Sequence, residues 1–389
     1  MRKRLDPLDI RILEALGVYG PRSMTRLARE INLPAPTVRD RLKSLRSHFS
    51  LLVQAKVYHT FIGLKKAFVF ARATPGNERL LWESMNANPY WLYLTSRYDS
   101  PESFYGIYAI PVEHAEEFEQ FVMQMGKLKI AQNAELFWST CIHDVNLTGN
   151  WYDHEAKRWV FKWNEWVEDI ESQGTSLPCT IIEPESFQQR ADEIDIIILK
   201  ELHKNAECKL THIAKLIGAS PQIVRYHFES HVIRKGLIEG YSAFLPHFET
   251  VSESYCFRFH FPDKKNMAKF ARSFEGKPFV RSVGKIFGGN ALLVHIYLPR
   301  EEFRGFTDSL SKLIRKGVMK SYDYVIEDLT RKQGQTIPYK LFKDRSWVYD
   351  PKEYIERLHQ ISAQIRKTQR LTEDEPSSKD AIQAAVNRG

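Results

Sequence analysis

The sequence has few cysteines, no long apolar run and no apolar leader. Its four cysteines lie at least 29 residues apart, so it has no CxxC pair, which excludes a zinc knuckle and a thiol-redox motif. No segment approaches the roughly 18 consecutive apolar residues of a membrane span. The N-terminus turns polar directly after Met1, so we expect no secretory signal and no membrane partner. These absences favour a protein of the reducing cytoplasm.

Positive charge is concentrated in the first sixth of the chain. The 389 residues carry a formal net charge of +8, and they are about two to three times as many as one domain needs. Residues 1–60 hold twelve Lys and Arg against five acidic residues, a net charge of +7. A one-sided cluster of this size favours contact with nucleic-acid phosphates over a merely solvated face.

The chain contains an internal repeat. Residues 9–52 align without a gap on residues 195–238 after a shift of 186 positions. A shift of 188 aligns Trp159-Val160-Phe161 with Trp347-Val348-Tyr349. We therefore predict two related halves, followed by a polar tail.

Each half opens with the pattern of a winged helix-turn-helix. In the first half, Asp6 and Pro7 begin a helix, Ser23 caps a second, and Pro36 to Ser47 forms a third. Apolar residues 51–61 predict a wing hairpin. The second half repeats this order over 192–204, 209–217, 220–234 and 237–245. Two short helices joined by a tight turn, the second with outward cations, are typical of DNA-binding helix-turn-helix motifs.

An alternation of strand and helix in the order βαββαβ follows each winged helix. It predicts a four-stranded antiparallel sheet with both helices on one face. In the second half, alternation over residues 256–261 turns the phenylalanines toward the helices and leaves Cys256, Arg258 and His260 on the open face. In the first half we expect Phe104, Tyr108 and Ile110 on the open face, packed against the other half.

The predicted fold class is α+β, with two winged helix-turn-helix domains alternating with two ferredoxin-like βαββαβ domains. A stripe formed by Trp159, Trp163 and Trp166 is expected to seal one half against the other. The predicted segments are 1–62 (first winged helix), 63–172 (first α/β domain with an extension), 173–190 (linker), 191–248 (second winged helix), 249–360 (second α/β domain with an extension) and 361–389 (a partly disordered tail).

Three segments, 8–13, 37–45 and 236–241, resemble the Lrp/AsnC family of feast/famine transcription regulators. The chain looks like two such protomers fused. The resemblance implies a regulator of double-stranded DNA whose α/β domains pair back to back and bind a small-molecule effector, with no cofactor. It places the effector beside the turn that follows the second strand of each α/β domain, at Tyr98, Asp99, Gly288 and Gly289.

The third helix of the first half offers the side chains expected to read DNA. Arg39 and Lys43 lie four residues apart on an outward face, whereas Val38, Leu42 and Leu45 form the buried face. A guanidinium can pair with guanine or with phosphate through two hydrogen bonds. Arg2, Lys3 and Arg4 form an arm that either follows the DNA or only solubilises the terminus. The predicted DNA-binding residues are Thr37, Arg39, Arg41, Lys43 and Arg46, with Gln222 and Arg225 in the second half.

The second winged helix lacks the positive charge of the first. Residues 191–250 hold seven Lys and Arg against eight acidic residues, a net charge of −1, together with five histidines. Without cations to neutralise phosphate, its DNA affinity should be low. We expect a weaker or mainly structural domain, and a protein that binds DNA as a homodimer or larger oligomer.

Two classes of function compete. Tandem Lrp/AsnC-like proteins also resemble siroheme decarboxylases, in which Arg258, His260, His295 and Tyr297 would face a pocket and bind carboxylates. However, the sequence has no nucleophile–base pair, phosphate loop or metal-ligand spacing, and the excess charge lies on the winged helix. We therefore expect a transcription regulator that is not an enzyme, with no catalytic or metal-binding residues.

Overall fold

The computed structural model describes residues 4–140, 143–144 and 146–373. The chain is a mixed α+β protein, as predicted. Arg2 and Lys3 of the expected arm and residues 374–389 of the expected tail lie outside the described residues. The predicted start of the tail needs correction, because the last described helix continues to Glu373. No helix in the described part of the chain is both long and apolar enough to cross a membrane.

Three helices open the chain, and capping side chains determine where they begin. They are α1 (Pro7–Tyr19), α2 (Met24–Glu30) and α3 (Ala35–Phe49). The Asp6 carboxylate accepts hydrogen bonds from the backbone N–H groups of Leu8 and Asp9, and Asp9 accepts one in return from the Asp6 N–H. This reciprocal capping box satisfies N–H groups that the helix itself leaves unpaired. Ser23 caps α2 through the N–H of Arg26.

The remaining elements follow a similar order in the two halves, except that the short strand at His143–Asp144 has no counterpart in the second. The first half continues with β1 (Leu52–Val57), β2 (Leu64–Ala73), α4 (Glu78–Ala87), β3 (Trp91–Arg97), β4 (Ser103–Pro111), α5 (Ala115–Lys127), β5 (Ala131–Ser139), β6 (His143–Asp144), β7 (Tyr152–Asp153), β8 (Arg158–Trp159) and α6 (Trp163–Ser172). The second comprises α7 (Glu193–Lys204), α8 (Leu210–Ile217), α9 (Pro221–Tyr226), β9 (Ile238–Phe244), β10 (Ser252–His260), α10 (Lys264–Ser273), β11 (Val280–Lys285), β12 (Ala291–Pro299), α11 (Phe303–Arg315), β13 (Ser321–Gly334), β14 (Phe342–Lys343), β15 (Ser346–Trp347) and α12 (Pro351–Glu373).

The helix expected over 220–234 is divided in two. Helix α9 ends at Tyr226, and residues His227–Ile233 continue it as a π-helix. Each turn of a π-helix contains an extra residue, and such turns are frequent at functional sites.

The predicted wing hairpins are wrong. Each winged helix contributes one strand instead of two, and β1 pairs antiparallel with β9 of the other half, with Leu52 opposite Phe244. After β1 the chain turns into a 3₁₀ helix at His59–Phe61, so no local second strand is available. The exposed edge of β1 is paired by β9 instead, which joins the two halves.

The two α/β regions share one nine-stranded sheet system. Its strand order is β5-β2-β4-β3-β13-β10-β12-β11-β6. The long strand β13 pairs with β10 of its own half and then with β3 of the other half. In the opposite direction, β6 follows β5 in the chain and pairs with β11. Both halves therefore send a strand into the sheet of the other.

The faces of the two sheets pack against each other within one chain, as predicted. Phe68, Tyr105 and Ile107 of the first sheet meet Cys256 and Leu293 of the second in one buried cluster. The Tyr105 hydroxyl and His295 Nε2 form a hydrogen bond across this interface.

The expected face of β4 needs correction. Phe104, Tyr108 and Ile110 lie on the helix side, where Tyr108 packs against Phe118 of α5 and Phe104 against Trp82 of α4. All nine residues of β4 are buried, so both faces are apolar. The alternation on which the prediction depended was therefore absent. In the second half, the phenylalanines face the helices as predicted, with Phe257 against Phe306 and Phe259 against Phe270.

The tryptophan-rich segment seals one half against the other, as predicted. Helix α6 belongs to the first half but packs on α10 and α11 of the second. Its Trp166 is fully buried, stacks on Phe306 and donates a hydrogen bond to Ser273 at 3.1 Å. Conversely, α12 of the second half packs on α4 and α5 of the first.

A buried histidine at this junction predicts a specific loss of stability in acid. Burial lowers the pKa of His247 to about 3, and its Nε2 lies 2.9 Å from the carbonyl oxygen of Pro278. The unfolded chain therefore binds a proton in the window from about pH 6.5 down to about pH 3 that the folded chain does not bind. The free energy of unfolding should fall by about 1.4 kcal/mol per pH unit through this window from this group alone.

Urea unfolding of wild type and the variants H247Q and H154Q at several pH values measures this contribution. We expect H247Q to have the shallower dependence on pH, and H154Q, at an exposed histidine, to follow wild type. Equal slopes for wild type and H247Q would contradict the assignment.

Candidate DNA-binding site

Helix α3 presents an exposed cationic face on a rigid apolar base. Val38, Leu42 and Leu45 are at most 1% exposed and anchor one side of the helix in the core of the first winged helix. On the other side, Arg39 and Lys43 are exposed. Neither has an ion-pair partner within residues 4–140, 143–144 and 146–373. Two unpaired cations one helical turn apart are available to bind phosphates or base edges.

The first turn of α3 adds a second feature that suits an anion. Its N-cap is Pro34, which supplies no side-chain hydrogen bond. Thr37, half-buried in that turn, was predicted to contact DNA. Unpaired N–H groups at a helix N-terminus carry partial positive charge, so this end of α3 can also bind phosphate.

Arg41 has a different role from the predicted DNA contact. Its guanidinium donates hydrogen bonds to Asp6 and to Asp9, the latter at 3.1 Å, and so ties the start of α1 to α3. Burial raises the pKa of Asp6, but the hydrogen bonds from Arg41 and from the backbone outweigh it and hold that pKa below its ordinary value. We call Asp6, Asp9 and Arg41 the arginine clamp.

Three more cations of the +7 segment are also used inside the protein. Arg46, another predicted DNA contact, pairs with Glu207 in the turn between α7 and α8. Arg22 donates to the carbonyl oxygen of Cys208 at 2.9 Å, and buried Lys56 donates to Asn146 at 2.8 Å. The charge count therefore overstates the cations available to DNA, which makes Arg39 and Lys43 more important.

The second winged helix presents a less positive face. Gln222 and Arg225 are exposed on α9, at the predicted positions. In the 186-residue repeat, Arg225 corresponds to Arg39, but exposed Glu229 stands where the first half has Lys43. The single cation is thus accompanied by an acid, which matches the low DNA affinity expected for this half.

The predicted effector residues lie at two separate places. Tyr98 is exposed, and Asp99 pairs with Arg97 and accepts a hydrogen bond from the Ile326 N–H at 3.1 Å. Gly288 instead donates to Glu183 at 3.1 Å and, with Gly289, lies beyond β11. Because β10 and β12 separate β11 from the β3–β13 junction, the structure does not bring the two pairs together.

The side chains suggested for an enzyme form ion pairs, hydrogen bonds and ring contacts with residues of their own sheet or of the other sheet. Arg258 pairs with Asp323 and with Glu135 of the other half, at 2.9 and 3.1 Å. His295 contacts Tyr105 and lies 2.7 Å from Ser282 Oγ, and Tyr297 lies under the guanidinium of Arg281. His260 lies 3.8 Å from Asp323.

Comparison with known proteins identifies the first winged helix. A family model for the AsnC-type helix-turn-helix domain matches residues 5–46. An uncharacterised HTH-type transcriptional regulator of Pyrococcus furiosus is 27% identical over 156 residues, which are 39% of this chain and 94% of that protein.

Two solved structures illustrate the likeness in shape. The siroheme decarboxylase NirDL aligns over 92% of this chain and 99% of its own, with 14% identity and a TM-score of 0.48. A transcriptional regulator of Neisseria meningitidis in complex with L-methionine aligns over 34% of this chain and 88% of its own, with 20% identity and a TM-score of 0.29.

One expectation needs correction here. The chain was expected not to be an enzyme, but two solved structures of a siroheme decarboxylase align over more than nine-tenths of it. The expectation is therefore withdrawn. The domain at residues 5–46 is the feature on which the sequence and the family comparison agree. The chain carries an AsnC-type helix-turn-helix domain at residues 5–46.

Proposed function

We propose that this protein is a transcription regulator of the Lrp/AsnC type that reads double-stranded DNA mainly with α3. The observation that carries the proposal is the exposed pair Arg39 and Lys43 on an AsnC-type helix-turn-helix domain. Their buried counterparts Val38 and Leu42 hold the helix in place, so the cations project from a fixed surface. A regulator of this kind acts where the DNA is, in the cytoplasm predicted above.

We further infer that the chain is a tandem duplication. The 186-residue repeat and the recurring βαββαβ order support this inference, as does the reciprocal packing of α6 and α12. The domain division given above is retained in this proposal, except that α12 continues to Glu373, and with one addition. The two C-terminal extensions, which include α6 and α12, each cover the α/β region of the other half.

The unequal charge of the two winged helices leads us to propose an oligomer on DNA. One chain offers one strong reading helix, α3, and one weak one, α9. A two-fold symmetric operator needs two equivalent readers about one turn of DNA apart. Two chains would supply two copies of α3, so we propose at least a homodimer in the complex. An effector at Tyr98 and Asp99 or at Gly288 and Gly289 remains a prediction of the resemblance.

Selection of bound fragments from the source genome, followed by binding titrations at increasing salt, tests the proposal. We expect enrichment of a common sequence and a linear fall of log K with log salt, with a slope of about −0.9 for each phosphate neutralised. The mass of the complex, measured by light scattering, should correspond to two or more chains. Binding that is absent, or that does not change with salt, would overturn the proposal, and a complex with one chain would overturn the oligomer.

A further inference from the structure

Four side chains of the second winged helix converge at the junction of α7 and the π-helix. Asp192 and Asp195 come from the first turn of α7, and His227 and His231 come from the π-helical turn at His227–Ile233. Each offers one donor atom, and the four donor atoms lie within 4.8 Å of one another. Two imidazole nitrogens and two carboxylate oxygens are a common ligand set for zinc-class metal ions.

The distances from each histidine nitrogen to the carboxylate oxygens it faces bracket the separation of neighbouring ligands around a small tetrahedral ion, with His227 facing Oδ1 and His231 facing Oδ2 of both aspartates. His227 Nδ1 lies 2.9 Å from Asp195 Oδ1 and 3.4 Å from Asp192 Oδ1. His231 Nδ1 lies 3.0 Å from Asp195 Oδ2 and 3.6 Å from Asp192 Oδ2. Metal–ligand bonds of roughly 2.0–2.1 Å in a tetrahedron place neighbouring ligands about 3.3 Å apart. The same nitrogen, Nδ1, faces the carboxylates in both rings.

Comparison with the first half indicates what these residues replace. The 186-residue shift superimposes Asp192 and Asp195 on Asp6 and Asp9, and it places His227 on Arg41. The second half therefore keeps both carboxylates of the arginine clamp and has lost its guanidinium.

The second histidine occupies a core position. His231 falls on Leu45, which is 1% exposed and belongs to the core of the first winged helix. Burying a polar ring in place of a core leucine is unfavourable unless the ring has a hydrogen-bonding or ligand partner. Among the described residues, the His231 ring contacts the two carboxylates, His227 and Tyr226.

Charge balance favours a cation at this place. In the first half, two carboxylates face one guanidinium. In the second, the same two carboxylates face two imidazoles that carry no charge in their neutral form, while the Asp195 side chain is fully buried and the other three are at most 19% exposed. Carboxylates that are largely removed from water and have no Lys or Arg partner among the described residues are unfavourable unless a cation neutralises them. A divalent ion would neutralise both.

We propose that Asp192, Asp195, His227 and His231 bind one divalent transition-metal ion of the zinc class, which joins α7 to the helix after α9 as the arginine clamp joins α1 to α3. Nitrogen ligands select Zn²⁺ and Co²⁺ over the hard ions Mg²⁺ and Ca²⁺, which prefer oxygen. The site does not depend on the proposed DNA-binding function. It stabilises the second winged helix and leaves Gln222 and Arg225 outside the coordination sphere.

Titration of the chelator-treated full-length protein with Co²⁺ and Zn²⁺ tests the proposal. We expect one equivalent of Co²⁺ to give the visible d–d bands of tetrahedral coordination, Zn²⁺ to displace it, and Mg²⁺ to leave the bands unchanged. The H227A/H231A double variant should show no bands. The control H212A addresses a second group of potential ligands, Glu201, Cys208 and His212, and should bind like wild type.

The variant H227R keeps the experiment decisive if the double variant fails to fold. It restores the guanidinium of the first half, so it should fold, bind no Co²⁺, and have a melting temperature that does not change with chelator. Wild type should melt at a lower temperature after chelation. Loss of the bands in H212A but not in H227A/H231A would overturn the site. If no Co²⁺ binds at neutral pH and acidification stabilises the protein instead, the metal site is overturned. The two carboxylates would then be neutralised by protonated imidazoles.

Discussion

The variant R39E/K43E should bind the selected DNA at least about 100-fold more weakly than wild type, since each cation that contacts phosphate or base contributes roughly 1–3 kcal/mol. Both side chains are exposed and unpaired in the described structure, so their reversal breaks no internal ion pair. The salt dependence of the remaining binding should also become shallower, because fewer counterions are released. Fluorescence anisotropy with labelled DNA at several salt concentrations measures both effects.

A matched control separates local contact from overall charge. The variant K127E/K265E changes the net charge by the same amount at two exposed lysines, on α5 and α10. It should bind DNA within a few-fold of wild type. Equal losses in the two variants would mean that net charge, and not α3, accounts for the affinity. An R39E/K43E protein that still selects the same sequence would remove α3 from the proposed function.

The helical part of the site could be predicted because its causes are local. Asp6 and Ser23 mark helix starts through hydrogen bonds to residues two or three positions away, and Pro7 does so through its fixed φ at the first helical position. The same short-range periodicity assigned Arg39 and Lys43 to the outward face of α3. Nothing in these assignments depends on how distant segments meet.

The roles of Arg41 and Arg46 could not be predicted in the same way. Their partners are Asp6 and Asp9, 32 or more positions away, and Glu207, 161 positions away. A charge count treats every arginine as available, whereas folding pairs some of them. The internal repeat did contain a signal, because Asp192 and Asp195 correspond to the two aspartates of the arginine clamp whereas His227 takes the place of Arg41.

Strand pairing was the least predictable feature. β1 and β9 lie more than 180 positions apart, and each pairs with the other because neither has a local partner. The pairing also limits experiments on fragments. A peptide that ends near residue 60 would expose the edge of β1 and lose the contacts of α1 with β9. Tests of the two winged helices are therefore best made in the full chain.

The variant E229K should raise DNA affinity by up to about tenfold at moderate salt, since it converts one repulsive contact with phosphate into an attractive one. Exposed Glu229 takes the place of Lys43 in the repeat, beside exposed Arg225. Its replacement gives α9 and the π-helical turn that continues it the two cations that α3 has. Anisotropy titrations should show a tighter complex with a steeper salt dependence than wild type.

The control E275K makes the same charge change at an exposed position after α10 and should have little effect. In the same assay, R225E should weaken binding less than R39E, because α9 reads DNA less than α3 does. If E229K binds no better than E275K, α9 does not approach the DNA, and the second winged helix serves the assembly alone.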